Sequence, residues 1–470
     1  MFSKEKFPGL LALGIFTFMS TLDGSIVNIA LPSMAREMHL EMSQVTWSVT
    51  IYLVVISGLI LLFGRLGDLL GKTKIFSIGS VVFTLGSLLA GINLGLHFLL
   101  FSRIIQAIGA SMTMSNSFGI TSQLFPPELR ARAMSIMSMF VSLGAIAGPA
   151  IGGFILQFAS WSYIFWINVP LGIVAYLIGR KALPKDEGIG RFKDADLLGA
   201  TQMFLTIVAF FIAMSLGQAQ GFSHLPVLIS FVAMIILFIW FIHTERTVDK
   251  PLLNLNIFRS KLFSMSVITS MTMFTAGSFV NILMPFYLQD YRGSAAGFAG
   301  MVMMAYPVGM FIFSPIAGVL SDKFDKEIIT FIAITGVLVV QLGYLIFGQT
   351  TAIAFVMLVL FLHGGSVGFF QSPNNALVMS TVESRYLGIA GSVNALARNL
   401  GFVLGTTLST TVLFVAMSSL VGHRVSGYIT SRPDIFLTGM HHAFYVGLAL
   451  VIFAWCLSGY RLVTRKKAVD

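Results

Sequence analysis

Two charged side chains, Asp23 and Arg103, stand in stretches that are otherwise apolar or small. A carboxylate held alone in hydrocarbon costs several kcal/mol when ionised, so the chemistry expected of Asp23 is reversible protonation, with substrate contact as its companion role. A fixed, hydrogen-bonded structural carboxylate is the alternative. Met19, Ser20 and Val27 share its helix face, while Asn28 is rotated away and is expected to bond a neighbouring helix. Arg103 cannot lose its proton and must find an anion, a carbonyl or water. Ala107 and Ala110 leave room beside it, and Gln106 extends a polar patch. The two readings of Arg103 are a partner for a carboxylate such as Asp23 and a side chain that snorkels to the interface.

A second group of residues has the spacing of moving contacts. In GAIAGPAIGG, Gly144, Gly148 and Gly152 recur every four residues, with Pro149 among them and Gly153 at the end. Small residues at that interval let helices approach closely in a bilayer, and the proline frees a backbone carbonyl and invites a bend. The expectation is a bendable seam at the interface between two halves of the molecule. GRLGDLLGK (64–72) and GVLSDKFDK (318–326) repeat a Gly, an Asp four residues on, then basic residues. Arg65, Asp68 and Lys72, with Lys74, form the first latch expected, and Asp322 with Lys323 the second. As surface pairs these contribute about 0–1 kcal/mol, enough to bias two near-equal states. Side chains suited to a mixed pocket are Trp47, Tyr52, Asn116, Asn281, Tyr306, His363 and Asn374. His363 titrates near neutral pH when unperturbed, though a lone His on an apolar helix is more often a satisfied donor.

The elements that must position these residues are membrane helices. Of 470 residues, 56% are hydrophobic and 10% charged, and mean hydropathy is +0.89, whereas a soluble chain carries about a quarter charged residues. Apolar runs of span length predict fourteen helices. These fall near 8–30, 44–63, 75–95, 98–122, 131–158, 161–183, 197–217, 224–243, 263–289, 296–320, 328–348, 351–378, 386–418 and 442–463. Residues 1–183 read as a six-helix bundle, 184–262 as linkers with two inserted helices, and 263–470 as a second six-helix bundle. The first run lacks a small-residue cleavage site and reads as a retained span. The net charge of +10 is topological. Only Arg36, Arg292, Arg424 and Arg432 fall in loops assigned outside, so both termini are expected in the cytoplasm and nucleic acid is not an expected partner. Cys456 is the only cysteine, which excludes an intrachain disulfide. No phosphate-binding loop, nucleophile elbow or metal-ligand spacing occurs, so no enzyme activity, cofactor or metal is expected.

These motifs together resemble the major facilitator superfamily, in its fourteen-span drug:proton antiporter branch of the EmrB/QacA type. LDGSIVNIALP (22–32) is similar to that branch's first-span signature, GRLGDLLGKTK to its loop motif and RIIQAIGAS (103–111) to its fourth-span motif. GAIAGPAIGG resembles the antiporter motif of the fifth span, and WSYIFWINVPLG (161–172) the opening of the sixth. The resemblance implies an all-α fold of two six-helix bundles plus two helices. It also implies proton-coupled export of lipophilic cationic or zwitterionic drugs by alternating access in a bacterial inner membrane, with Asp23 and Arg103 coupling protons. Partners implied are drugs, protons and membrane lipids around a monomer, with an outer adaptor protein left open. The second half carries no acidic residue deep in a span, which weakens the case for divalent cationic drugs. A dedicated exporter of one metabolite, lipid or siderophore is the alternative cargo, and a transport-inactive receptor or scaffold the alternative class.

Overall fold

The computed structural model describes residues 6–40, 42–186, 188, 190–294, 296–383, 386–423 and 432–469. Arg424 and the side chain of Pro149 lie outside what it describes. Its helices are α1 (Phe7–Glu37), α2 (Met42–Leu70), α3 (Lys72–Ala90), α4 (Leu96–Leu124), α5 (Pro127–Phe158), α6 (Ser162–Trp166), α7 (Asn168–Ala182), α8 (Leu197–Gln220), α9 (Leu225–Thr247), α10 (Lys261–Phe286), α11 (Ala296–Met303), α12 (Ala305–Lys323), α13 (Lys326–Tyr344), α14 (Ile353–Ser380), α15 (Leu387–Val421) and α16 (Pro433–Val469). With the short breaks at Ile167 and Met304 bridged, they make fourteen helical segments long and apolar enough to cross a membrane. No strand occurs among the described residues.

Several boundaries differ from the sequence expectation for local reasons. Helix α2 does not stop before GRLGDLL but runs through it, because Leu66 and Leu69 continue the buried stripe. It ends at Gly71, whose φ of 102° disfavours any other residue. Helix α3 restarts at once: the Asp186 carboxylate accepts the backbone N–H of Lys72 (2.6 Å) and of Thr73 (3.1 Å), two of its orphan donors. Asp68 and Asp322 are therefore helical residues, not loop residues. Pro285 lies in the last turn of α10 and is followed by a π turn over Tyr287–Tyr291. Helix α16 starts nine residues earlier than its apolar run suggests, with Asp434 in its first turn.

Each half packs mainly within itself. Helix α1 lies against α2, α4, α5, α6 and α7, and α10 against α11, α14, α15 and α16. The halves meet where α2 and α4 touch α15 and where α5 touches α12 and α14. The inserted pair α8 and α9 pack on each other, with α8 against α2 and α15, while α9 is the least buried of the membrane-length helices.

Candidate functional site

Asp23, on α1, is fully buried, and so is Arg103, on α4. Arg103 Nη1 donates to Asp23 Oδ2 at 2.7 Å and to Gln106 Oε1 at 2.6 Å, and its Nε donates to the Ser48 carbonyl at 3.0 Å. Gln106 Nε2 donates to Asp23 Oδ1 and to Ser87 Oγ, both at 2.9 Å. The Tyr52 ring lies 4.0 Å from the guanidinium carbon, with the Phe165 ring at 5.5 Å on top of the network. Five helices, α1, α2, α3, α4 and α6, thus close on one charge pair. Gly86 permits this, since a Cβ there would sit 2.5 Å from the Gln106 Cα.

The carboxylate is accordingly not alone in oil, as the sequence suggested, and Arg103 does not snorkel. Both Asp23 oxygens are bonded and the charge is compensated inside the first half. Removing one partner of such a pair typically costs about 3–5 kcal/mol, because an uncompensated buried charge remains.

The two Gly…Asp motifs hold the halves together. Asp68 Oδ1 lies 2.8 Å from Lys72 Nζ and accepts the Gly388 N–H at 2.9 Å, while Oδ2 accepts the Ile389 N–H at 3.0 Å. Those N–H groups belong to the first turn of α15, where a helix offers unpaired donors and partial positive charge. Gly64 lets the helices touch: a Cβ there would sit 2.9 Å from the Gly388 carbonyl oxygen. In the second copy, a Cβ on Gly318 would sit 2.6 Å from Ser135 Cβ, and Asp322 lies 3.1 Å from Arg132 Nε of α5. Ser372 of α14 adds a bond to the Ala131 carbonyl at 3.0 Å. Each motif grips the opposite half.

Three latch expectations are corrected here. Asp68 and Lys72 are buried, so the surface-pair magnitude does not apply. The cation paired with Asp68 is Lys72, not Arg65. Lys323 is exposed, and the cation beside Asp322 is Arg132.

The glycine seam is also placed differently. A Cβ on Gly144 would meet the Phe18 carbonyl oxygen at 2.7 Å, one on Gly148 would overlap Ser25, and one on Gly152 would meet Ile26 at 2.8 Å. All three face α1 within the same half, not the interface between halves. Ser25 Oγ donates to the Gly144 carbonyl at 3.2 Å and stitches the seam. A Cβ on Gly153 would meet nothing within 4 Å, so this glycine is not part of the close approach. The seam thus packs α5 against α1, the helix that carries Asp23.

The residues named for a mixed pocket do not converge. Trp47 is 51% exposed near the start of α2, and Asn281 is exposed on α10. Asn116 is used between helices, donating to the Phe63 carbonyl at 3.1 Å with its side chain over Gly67. Asn374 donates to the Ser266 carbonyl at 3.2 Å. His363 is buried in the second half, with Nδ1 2.9 Å from the Tyr344 hydroxyl and its ring edge-on to Tyr306. Tyr52 alone joins the Asp23–Arg103 network. Asn28 bonds the Gly24 carbonyl of its own helix at 2.8 Å and is exposed, not the interhelical tie expected. Sequence reasoning missed Ser48 and Ser87, which bring no charge to notice, and Arg132, which lies outside the glycine motif of its own helix.

Comparison with known proteins agrees with this architecture. The family model described as Major Facilitator Superfamily matches residues 13–406. The riboflavin transporter RibZ of Clostridioides difficile is 32% identical over 96% of this chain and 98% of its own. The multidrug export protein EmrB of Escherichia coli is 29% identical over 86% of this chain and 79% of its own. Among solved structures, the proton:xylose symporter XylE superposes with a TM-score of 0.67 at 14% identity, over 96% of this chain and 94% of that one. With two Gly…Asp latches, two bundles and fourteen membrane-length helices, the chain belongs to the major facilitator superfamily, in the fourteen-span branch that its motifs resemble.

Proposed function

We propose that this protein is a proton-coupled exporter of the bacterial inner membrane that works by alternating access, with both termini and both Gly…Asp latches on the cytoplasmic side. The observation that carries this reading is the sealed Asp23–Arg103–Gln106 network. It places a carboxylate inside the first half beside a fixed cation that competes with the proton for it. In the latched conformation the halves are fastened at one end, and Asp23 is ion-paired. When the latches open, α1 shifts along the Gly144–Gly148–Gly152 seam and loosens the pair, so Asp23 exchanges its proton with the other compartment. The domain boundaries at residues 183 and 262 set the bundles apart, with α8 and α9 as a peripheral addition.

For cargo, the relatives named as multidrug exporters support a drug. The 32% identity to a riboflavin transporter over nearly the full length of both chains supports the second reading, one dedicated metabolite. Proteoliposomes with an imposed pH gradient test the reading: added substrate should dissipate the gradient, and across a panel of dyes, antibiotics and flavins either many compounds or one should do so. A gradient unmoved by every compound would refute coupling.

A further inference from the structure

The second half contains a cation with no counterpart to the care taken over Arg103. Arg398, on α15, makes no ion pair and no hydrogen bond among the described residues. Its guanidinium carbon lies 6.0 Å from the centre of the Phe274 ring of α10. It stands eleven residues into its helix, roughly 16 Å along the axis from the latched end and so near mid-membrane. The described acids of the second half, Asp290, Asp322, Asp325, Glu327, Glu383 and Asp434, all lie at or beyond helix ends. A guanidinium with five donors and no acceptor is expensive at that depth, and an unpaired intramembrane charge is functional by default.

Its surroundings point inward. Gly401 and Gly405 of α15 pack on the backbone of α10, and Gly391 faces the α4 residues Ser115 and Phe118. Around the helix, Arg398 falls between those two faces, toward the space where α10 looks across to the first half. It is partly exposed there, as is Phe274, and Asn281, two turns along from Phe274 on the same face, is exposed. One turn toward the latched end, Asn394 Nδ2 donates to Asn375 Oδ1 at 2.8 Å, but Asn394 Oδ1, Asn375 Nδ2 and Gln371 Oε1 remain without partners. The result is a free cation beside an aromatic face, above a row of unspent amide atoms.

Resting on the reading of this chain as a transporter, we propose that Arg398 is the charge-reading residue of the substrate site. The substrate class is a planar molecule with an anionic group or a carbonyl-rich edge. The guanidinium fork takes that edge, Phe274 takes the ring face, and Asn281 with the Asn394–Asn375–Gln371 row supplies directional hydrogen bonds. Because the Asp23–Arg103 pair is neutral, Arg398 sets the sign of the site and repels organic cations. This reverses the cationic drug class that the family resemblance implies.

The test is binding to the full chain in nanodiscs, read by fluorescence anisotropy with two dyes that share the xanthene ring: anionic fluorescein and cationic rhodamine 123. The parent should bind fluorescein at least about tenfold more tightly than rhodamine 123. Arg398→Gln should lose that preference and Arg398→Lys should keep part of it. Phe274→Leu should weaken fluorescein several-fold with the preference intact, which keeps the proposal testable if Arg398→Gln fails to stay monodisperse. Equal fluorescein affinity in parent and Arg398→Gln, tighter rhodamine binding by the parent, or no fluorescein binding at all would overturn it. The assay needs no proton gradient. Fluorescein binding through Arg398 with no coupled flux would therefore refute the exporter reading alone, whereas coupled flux of cations would refute this inference alone.

Discussion

Replacing Asp68 by Asn should unlatch the protein. Asp68 holds three donors at once: Lys72 Nζ at 2.8 Å and the Gly388 and Ile389 N–H groups at 2.9 and 3.0 Å. The asparagine oxygen can keep one backbone N–H, but its NH2 group then faces the other donor, and the buried Lys72 loses its counterion. Hydrogen bonds to a charged group contribute about 1.5–3 kcal/mol each, and breaking a buried pair costs about 3–5 kcal/mol. Part of the Lys72 penalty persists when the latch opens, so about 3 kcal/mol of bias toward the latched conformation should vanish, a shift of about 100-fold in the population ratio. The assay is a pulsed spin-label distance measurement between Cys placed at Lys74 and at Ser380, one exposed site in each half, in a Cys456→Ser background. The parent should give one short distance, and Asp68→Asn a dominant longer one. An unchanged distance distribution would refute the claim that this carboxylate holds the halves together.

Other substitutions separate packing from position. Gly148→Ala drives a Cβ into Ser25 and should cost about 1–3 kcal/mol and slow transport, whereas Gly153→Ala should be neutral in melting and flux; equal effects would contradict the placement of the seam against α1. Tyr344→Phe should lower the melting temperature by leaving the buried His363 Nδ1 unpaired, at about 1–3 kcal/mol, without changing the pH profile of flux; a moved profile would return His363 to the coupling machinery. Asp194, in the linker before α8, is held below the usual carboxylate range by the hydrogen bond from Lys250 and the Arg191 N–H. Its lowered value means that the contact is intact above the ordinary carboxylate pKa and is lost only as pH falls through the lowered one. Hydrogen exchange at Arg191, corrected for intrinsic rate, should therefore stay constant from pH 8 to pH 5, and a rise within that window would contradict the contact.

The span count, the repeat and the candidate charge pair were legible in the sequence because each depends on local pattern: apolar length, Gly-to-Asp spacing, a charge among hydrocarbons. What was not legible was which surface each pattern meets. The Gly144–Gly152 face is defined by spacing, but its partner is set by how α5 crosses α1, and nothing in the ten-residue motif encodes α1. Asp68 was visible, yet its two backbone donors at Gly388 and Ile389 lie more than three hundred residues away and have no side-chain signature. Asn116 and Asn374 look like ligands on an apolar helix, but each donates its amide nitrogen to the carbonyl of a neighbouring helix. That Arg398 of α15 has no ion-pair or hydrogen-bond partner among the described residues is visible only in three dimensions.

The most direct measurement is substrate-driven proton movement in proteoliposomes made with the parent and with Asp23→Asn, followed by a pH-sensitive dye inside the vesicles. The parent should acidify or alkalinise the lumen in proportion to the substrate carried, and the variant should move substrate only downhill, with no change in pH. Equal proton movement in both would mean that the carboxylate buried against Arg103 is a structural tie and that the coupling lies elsewhere.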